Sequence, residues 1–141
     1  MKDVDIHRLR DLYPRLWRHD LSTLPGGWTA IAERLLADLN EIQPSVPGEY
    51  GSPLFLLISF HGGFAVAFVS PNPELGTWNA EKSLALIEAV RRFNAATSAA
   101  CEVCSGPSYI IVKETNGSHQ QRLCQHCSDE RLEKFEARSV Q

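Results

Sequence analysis

Four cysteines arranged as two Cys-x-x-Cys pairs constrain this chain more than any other feature of its sequence. The pairs are Cys101–Cys104 and Cys124–Cys127, and they contain all 4 cysteines of the 141 residues. Thiolates with two residues between them can point at one small cation, and two such pairs complete the tetrahedron that zinc prefers. The sequence therefore predicts that Cys101, Cys104, Cys124 and Cys127 bind one structural Zn²⁺ ion.

Other uses of the four cysteines fit the sequence less well. Disulfides need an oxidising compartment, and nothing in the sequence points to one. A redox-active pair normally precedes a helix in a βαβ unit, which residues 96–104 do not supply. A catalytic zinc needs an open position for water, and four cysteine ligands leave none. Iron in a rubredoxin-like site has the same ligand set, so zinc and iron remain alternatives at this stage.

The segment between the two pairs has the pattern of a turn followed by a β-hairpin. Gly106 can take the positive φ that a tight turn around a metal requires. Residues 109–112 are aromatic and β-branched, which favours a strand. Asn116-Gly117 is a favoured type I′ turn, and residues 119–123 can return as the second strand.

A helix is expected after the second pair. Ser128, followed by two acidic residues, predicts its capped start, and Leu132 and Phe135 share one face. A turn with two ligands, a hairpin, and a helix that carries the last two ligands resemble the treble-clef zinc finger over residues 101–138. The resemblance implies one structural ion, and such fingers serve nucleic-acid binding, protein binding or stabilisation alone.

Composition and charge narrow the class of protein. The hydrophobic content of 43% and the charged content of 22% are ordinary for a soluble globular chain. Lys and Arg number 14 against 17 Asp and Glu, a net charge of −3, and acidic residues outnumber basic ones on both sides of residue 100. We therefore expect nucleic acid to be a less favoured partner than protein.

No apolar run is long enough to cross a membrane, and the charged amino terminus does not have the pattern of a signal peptide. Paired cysteines in a chain without export signals predict a cytoplasmic protein.

Residues 1–100 are expected to form an α+β body, and residues 101–141 the zinc finger with its carboxy-terminal helix. Helices are predicted over 5–13, 28–42 and 79–97, with Asn79 as the cap of the third. Apolar runs around Gly62-Gly63 predict a hairpin over 54–69, and the nearly continuous apolar character of its first strand would allow both faces to be covered. Loops are predicted at 43–53 and 71–78, the second with a turn at Gly76. The expected fold class is therefore α+β, with helices packed on a short antiparallel hairpin.

Individual side chains in the body have weaker signals. Asp38 is placed to pair with Arg34 one helical turn earlier. His61, next to the hairpin turn, is a candidate site residue, although a single histidine in this position is usually structural or solvated. Leu84 lies on the polar side of the third helix and is expected to be exposed, as is Trp78.

Several features together are similar to a family of small uncharacterised proteins of phages and bacteria. They are Tyr13-Pro14, Gly27-Trp28, Gly62-Gly63-Phe64, and the two cysteine pairs. The resemblance implies a phage or mobile-element origin and no known activity. The chain departs from the family at residues 59–63, where Ser-Phe-His-Gly-Gly replaces a charged Lys-Glu-Lys-Phe-Gly stretch.

These features bear on three possible functions. A non-enzymatic protein acting by protein–protein contact, such as a phage accessory protein that inhibits or modulates a host protein, fits best, with Trp78 or Leu84 as anchors. A nucleic-acid-binding zinc-finger protein is the alternative. Enzymatic activity is not expected: treble clefs include the HNH nucleases, but this finger has only His119 in its hairpin and no His or Asn after Cys127. No phosphate-binding loop or hydrolase motif is present either.

Overall fold

The computed structural model describes residues 1–43, 54–74, 78–113 and 119–139, with side chains described as far as residue 134 in the last helix. The described residues form an α+β fold of five α-helices and two antiparallel hairpins. In chain order the elements are α1 (Asp3–Leu12), α2 (His19–Ser22), α3 (Thr29–Ile42), β1 (Leu54–Phe60), β2 (Ala65–Pro71), α4 (Ala80–Thr97), β3 (Ile110–Lys113), β4 (Gln120–Leu123) and α5 (Gln125–Ser139). A single 3-10 turn, Gly26–Trp28, leads into α3.

The predicted helices and the first hairpin are present, with ends shifted by a few residues. Asn79 caps α4 as predicted, because its side chain accepts a hydrogen bond from the Lys82 N–H at 2.8 Å. The four-residue helix α2 was not predicted. Residues 44–53 of one predicted loop, the turn at Gly76 and the turn at Asn116-Gly117 lie outside the described residues. None of the described helices is both long enough and apolar enough to span a membrane.

The core lies between the amino-terminal segment that holds α1 and α2, the helices α3 and α4, and the first hairpin. Its fully buried side chains include Leu9, Leu16, Leu21, Leu24, Trp28, Leu35, Leu36, Leu39 and Leu54. Asp38 on α3 joins the two long helices at their edge: it accepts from Arg34 at 3.2 Å, as predicted, and also from Arg92 of α4 at 2.7 Å. Arg92 in turn lies 3.8 Å from Glu88, its predicted partner.

The hairpin β1–β2 turns at Gly62 and Gly63, whose φ values of 66° and 90° are those of a two-residue turn that favours glycine. Its outer β2 edge is hydrogen-bonded by side chains of α4. Thr97 Oγ1 accepts from the Ala65 N–H at 3.1 Å, and Asn94 Oδ1 accepts from the Ala67 N–H at 2.9 Å. These bonds fix α4 alongside the sheet and block further strand pairing at this edge.

One face of this hairpin is not covered by the described residues. Leu54, Leu56 and Ile58 are buried, whereas Phe55 and Leu57 between them are 51% and 55% exposed. The sequence allowed both faces of β1 to be covered, but the described residues cover only one of them. A strand that reads as apolar throughout has one face in the core and one apolar face outside it.

Candidate metal centre

The four cysteines lie close together in the structure, although the first pair follows α4 in the chain and the second pair follows β4. Their sulfur atoms all lie within 4.8 Å of one another, and those of Cys104 and Cys124 are 3.5 Å apart. All four thiols are free of disulfides. Cys101 and Cys127 are buried, Cys124 is half-buried and Cys104 is exposed. This group could hold one metal ion, and it is the set of residues that the sequence predicted.

The first pair lies on a turn whose backbone N–H groups face sulfur. Val103 N–H donates to Cys101 Sγ and Gly106 N–H donates to Cys104 Sγ, each at 3.4 Å. Such donors stabilise a thiolate, which is the form of cysteine that binds metals.

The backbone conformation of this turn corrects one prediction. Ser105, with φ at 70°, takes the left-handed conformation that the sequence assigned to Gly106. Gly106 is explained instead by close approach, because a Cβ at this position would lie 3.3 Å from Cys104 Sγ. The glycine therefore leaves room for the ligand rather than supplying the turn.

The second pair begins α5. Cys127 N–H donates to Cys124 Sγ at 3.4 Å, and Ser128 N–H donates to the Cys124 carbonyl at 2.9 Å. Cys124 is thus the capping residue, and a sulfur atom replaces the usual oxygen acceptor. The predicted start at Ser128 was wrong for this reason: the helix begins at Gln125, and Ser128 lies inside it. The predicted apolar face cannot be followed to Phe135, whose side chain lies outside the described residues.

The electrostatics of the cluster favour a bound cation. Burial acts to raise the pKa of the Cys101 thiol, but backbone N–H groups of Cys104, Cys124 and Val103 lower it to about 7. Burial and the neighbouring thiols raise the pKa of Cys127. Four thiolates in this volume would repel one another, and a divalent cation between them removes that repulsion.

Glu102, between the first two ligands, was missed by the sequence reasoning. It is only 5% exposed, and its carboxylate accepts hydrogen bonds from the N–H groups of Gly63 and Arg122, the former at 3.0 Å. Its carbonyl accepts from the Gly27 N–H at 2.8 Å. Burial raises the pKa of this carboxyl, and the two N–H donors oppose that effect. Glu102 therefore connects the cysteine turn to the body and to β4.

Three glycines of the body allow the finger to approach closely, Gly27 at the cysteine turn and Gly62 and Gly63 at the second hairpin. A Cβ at Gly27 would lie 2.6 Å from backbone atoms of Cys101 and Glu102. A Cβ at Gly62 would lie 2.4 Å from the Gln120 carbonyl, and one at Gly63 would lie 2.7 Å from the Ile111 side chain. At Gly27 and Gly62 the near atoms are backbone, which cannot move aside, so only glycine allows this approach. At Gly63 the near atom ends a flexible side chain, and glycine is favoured there by its φ of 90°.

Further bonds hold the finger against the body. Arg122 of β4 donates from Nε to the Gly63 carbonyl of the body at 2.6 Å, and from Nη1 to the Ser108 carbonyl within the finger at 3.3 Å. Trp28 is fully buried, and its indole N–H donates to the Ala100 carbonyl at 2.9 Å. Glu102, within the first Cys-x-x-Cys pair, and the Gly62-Gly63 turn were both visible in the sequence. No pattern in the sequence indicated that they contact each other.

The remaining candidate residues are not part of the cluster. His61 is exposed; its Nε2 lies 2.9 Å from Ser59 Oγ and its ring stacks on Phe64. His119 is also exposed, and neither histidine belongs to the metal-binding group found among the described residues. Leu84 is 69% exposed, as expected. Trp78 is half-buried against the core and donates to Ser83 Oγ at 2.7 Å, so it is not the exposed anchor that the sequence predicted.

Comparisons with protein-family models, with curated proteins and with solved structures find no match to this chain. The resemblance of the whole chain to a phage and bacterial family gains no support from them. The four-cysteine cluster resembles a zinc site on its own geometry.

Proposed function

We propose that Cys101, Cys104, Cys124 and Cys127 bind one Zn²⁺ ion with a structural role. Tetrahedral zinc with Zn–S bonds of about 2.3 Å separates its sulfur ligands by about 3.8 Å. The sulfur separations here, 3.5 Å for one pair and below 4.8 Å for all, need little adjustment to reach that value. Four thiolates would fill the coordination shell, which supports a structural rather than a catalytic ion.

Elemental analysis of the purified, metal-replete protein tests this assignment. We expect one zinc per chain, with the thiols protected from titration until a chelator or acid removes the metal. Less than half an equivalent of zinc, or iron as the dominant metal, would contradict it.

The protein itself, in our proposal, is a non-enzymatic interaction protein that binds another protein. A single observation carries this function: an apolar groove of about 900 Å³ between the open face of the first hairpin and α4. We call it the hairpin–α4 groove. Its walls include Phe55, Leu57, Phe68 and Ile87, each more than half exposed. Neither strand of the hairpin carries a charged residue.

Contiguous exposed apolar side chains are uncommon on proteins that remain alone and are typical of binding surfaces. Leu84 lies one helical turn before Ile87 on α4 and extends the same exposed stripe. The setting that the sequence resemblance suggests, a phage or mobile-element accessory protein that modulates a host protein, is compatible with a small protein of this kind.

Affinity capture from the natural host, with charged substitutions in the groove, tests the proposed function. Leu57 and Phe68 lie opposite each other in the β1–β2 register, and both side chains point away from the core. The two test variants are Leu57→Asp and Phe68→Asp. We expect each to abolish capture of the specific partner, with the circular dichroism spectrum unchanged. Val4→Asp, at an apolar residue that is 71% exposed on α1, is the matched control. Capture that survives both groove variants would mean that the working surface lies elsewhere.

A further inference from the structure

Beyond the first turn of helix α5, most of the described side chains are exposed. Of its described side chains, residues 125–134, only Cys127 is buried. Arg131 still contacts β4, donating to Gln121 at 2.9 Å, but Leu132 is 56% exposed. An isolated helix of this length is marginal in water, and helices in proteins gain most of their stability by packing an apolar face. Helix α5 therefore has an apolar side chain and no described surface to pack it against.

The acidic residues of α5 differ in whether they have partners. Two carboxylates of α5 have partners within the helix: Asp129 accepts from Gln125 at 2.8 Å, and Glu130 lies 3.2 Å from His126. Glu133, next to Leu132, makes no ion pair or hydrogen bond with any residue that the structure describes. The exposed Leu132 and Glu133, whose carboxylate has no described partner, are thus consecutive on α5, with side chains that point about 100° apart around the helix axis.

The hairpin–α4 groove offers the complementary pair of features. Ile87 and Phe68 are 54% and 56% exposed in its walls. Arg91, one turn after Ile87, is the only charged residue that lines the groove among the described residues, and none of them pairs with it. The adjacent Arg92, in contrast, is held by Asp38 and Glu88. The groove therefore suits an amphipathic segment that brings an apolar side chain and a carboxylate together.

We propose that the occupant of the hairpin–α4 groove is helix α5 of a second copy of this chain. Leu132 of one protomer packs against Ile87 and Phe68 of the other, and Glu133 pairs with Arg91. Each protomer donates its helix and receives its partner's, so the exchange closes as a two-fold dimer. This inference rests on one part of the proposed function, that the groove is a protein-binding surface, and it replaces the host protein with a second copy of this chain as the occupant.

Sedimentation equilibrium of the zinc-loaded, full-length protein tests the proposal. The wild-type chain of 15.7 kDa should sediment as a dimer. Arg91→Glu and Glu133→Arg should each weaken dimerisation about tenfold, because each places like charges opposite one another in both halves of the assembly. The combined Arg91→Glu, Glu133→Arg variant should restore the wild-type affinity. Arg10→Glu, an equal change of charge at an exposed position of α1, should leave it unaltered.

Each other outcome counts against the dimer. A wild-type protein that remains monomeric up to about 1 mM, the weak limit of specific association, overturns it. So does a dimer that is indifferent to the charge reversals, or single variants that the combination does not rescue. Failure here is distinct from failure of the proposed function: a monomer whose capture of a partner is still abolished by Leu57→Asp loses only the second copy as occupant.

Discussion

At the scale of single residues, the contacts around Glu102 explain why the cysteine turn has a fixed position on the body. Its carboxylate and its carbonyl accept from Gly63 and Gly27, which lie on two separate parts of the body. Burying a carboxylate costs free energy unless hydrogen-bond donors surround it. These N–H groups therefore stabilise Glu102 and also fix its position. The absence of a side chain at Gly27 then allows the backbones to approach closely.

Substitution of Gly27 is the sharpest test of this close approach. Gly27→Ala would place a Cβ 2.6 Å from backbone atoms of Cys101 and Glu102, and backbone cannot yield as a flexible side chain can. We expect a loss of about 1–3 kcal/mol in the free energy of unfolding, the usual cost of overpacking. Urea denaturation of the zinc-loaded protein measures it. Gly26→Ala is the control, because a Cβ there meets nothing within 4 Å. Equal effects of the two substitutions would show that the contact is not limiting.

At the scale of elements, the metal cluster joins parts of the chain whose stability depends on the metal to different degrees. Helix α4 packs on α3 and β2 through the core, and Thr97 and Asn94 tie it to the strand edge. The finger elements have a much smaller cluster of buried residues, made of Cys101, Leu123 and Cys127. Two of those three are metal ligands in our assignment, so little remains to hold β3, β4 and α5 without the ion.

Removal of the metal should therefore loosen the finger first. Cys104→Ser, or chelation of the wild-type protein, should remove hydrogen-exchange protection from residues 101–113 and 119–134, since binding energy of about 10 kcal/mol or more in such sites is folding energy. Helices α3 and α4 and the β1–β2 strands should stay protected, whereas the Gly63 amide should lose protection as Glu102 is released. Val103→Ser, a change at an exposed position between the same ligands, should alter none of this. Loss of all helical signal on chelation would show instead that finger and body fold as one unit.

How far these elements could be predicted depends on whether their signals are local. Helices α3 and α4 and the first hairpin have apolar periods or turn residues within a short window, and the cysteine spacing identifies the cluster in the same way. Helix α2, with four residues and Leu21 as its buried anchor, is too short to show a period. The start of α5 was missed because a cysteine sulfur acts as the cap. Glu102 and Gly27 meet across most of the chain, and no local pattern reports such a contact.

At the scale of the whole molecule, several of the arginines have acidic or carbonyl partners within the chain. Arg8 donates to Glu33 at 2.6 Å, and Asp38 lies between Arg34 and Arg92. In the finger, the guanidinium of Arg122 donates hydrogen bonds to the carbonyls of Gly63 and Ser108. With 14 basic and 17 acidic side chains, the chain as a whole carries a net charge of −3 and not the positive excess that favours nucleic-acid binding.

This distribution predicts weak binding to nucleic acids. Affinity for DNA or RNA comes mainly from Lys and Arg contacts that release counterions, and it falls steeply as salt rises. We expect any binding seen at low salt to be independent of sequence and to weaken to a dissociation constant above about 1 µM at physiological salt. A gel-shift series over increasing salt, with duplex and single-stranded probes, measures this. Glu130→Lys, on the exposed surface of α5, supplies the internal comparison, because an added positive charge should raise low-salt binding and steepen its salt dependence. Sub-micromolar binding of the wild-type protein at physiological salt would instead favour a nucleic-acid function for the finger, and the hairpin–α4 groove would lose its place as the principal binding surface.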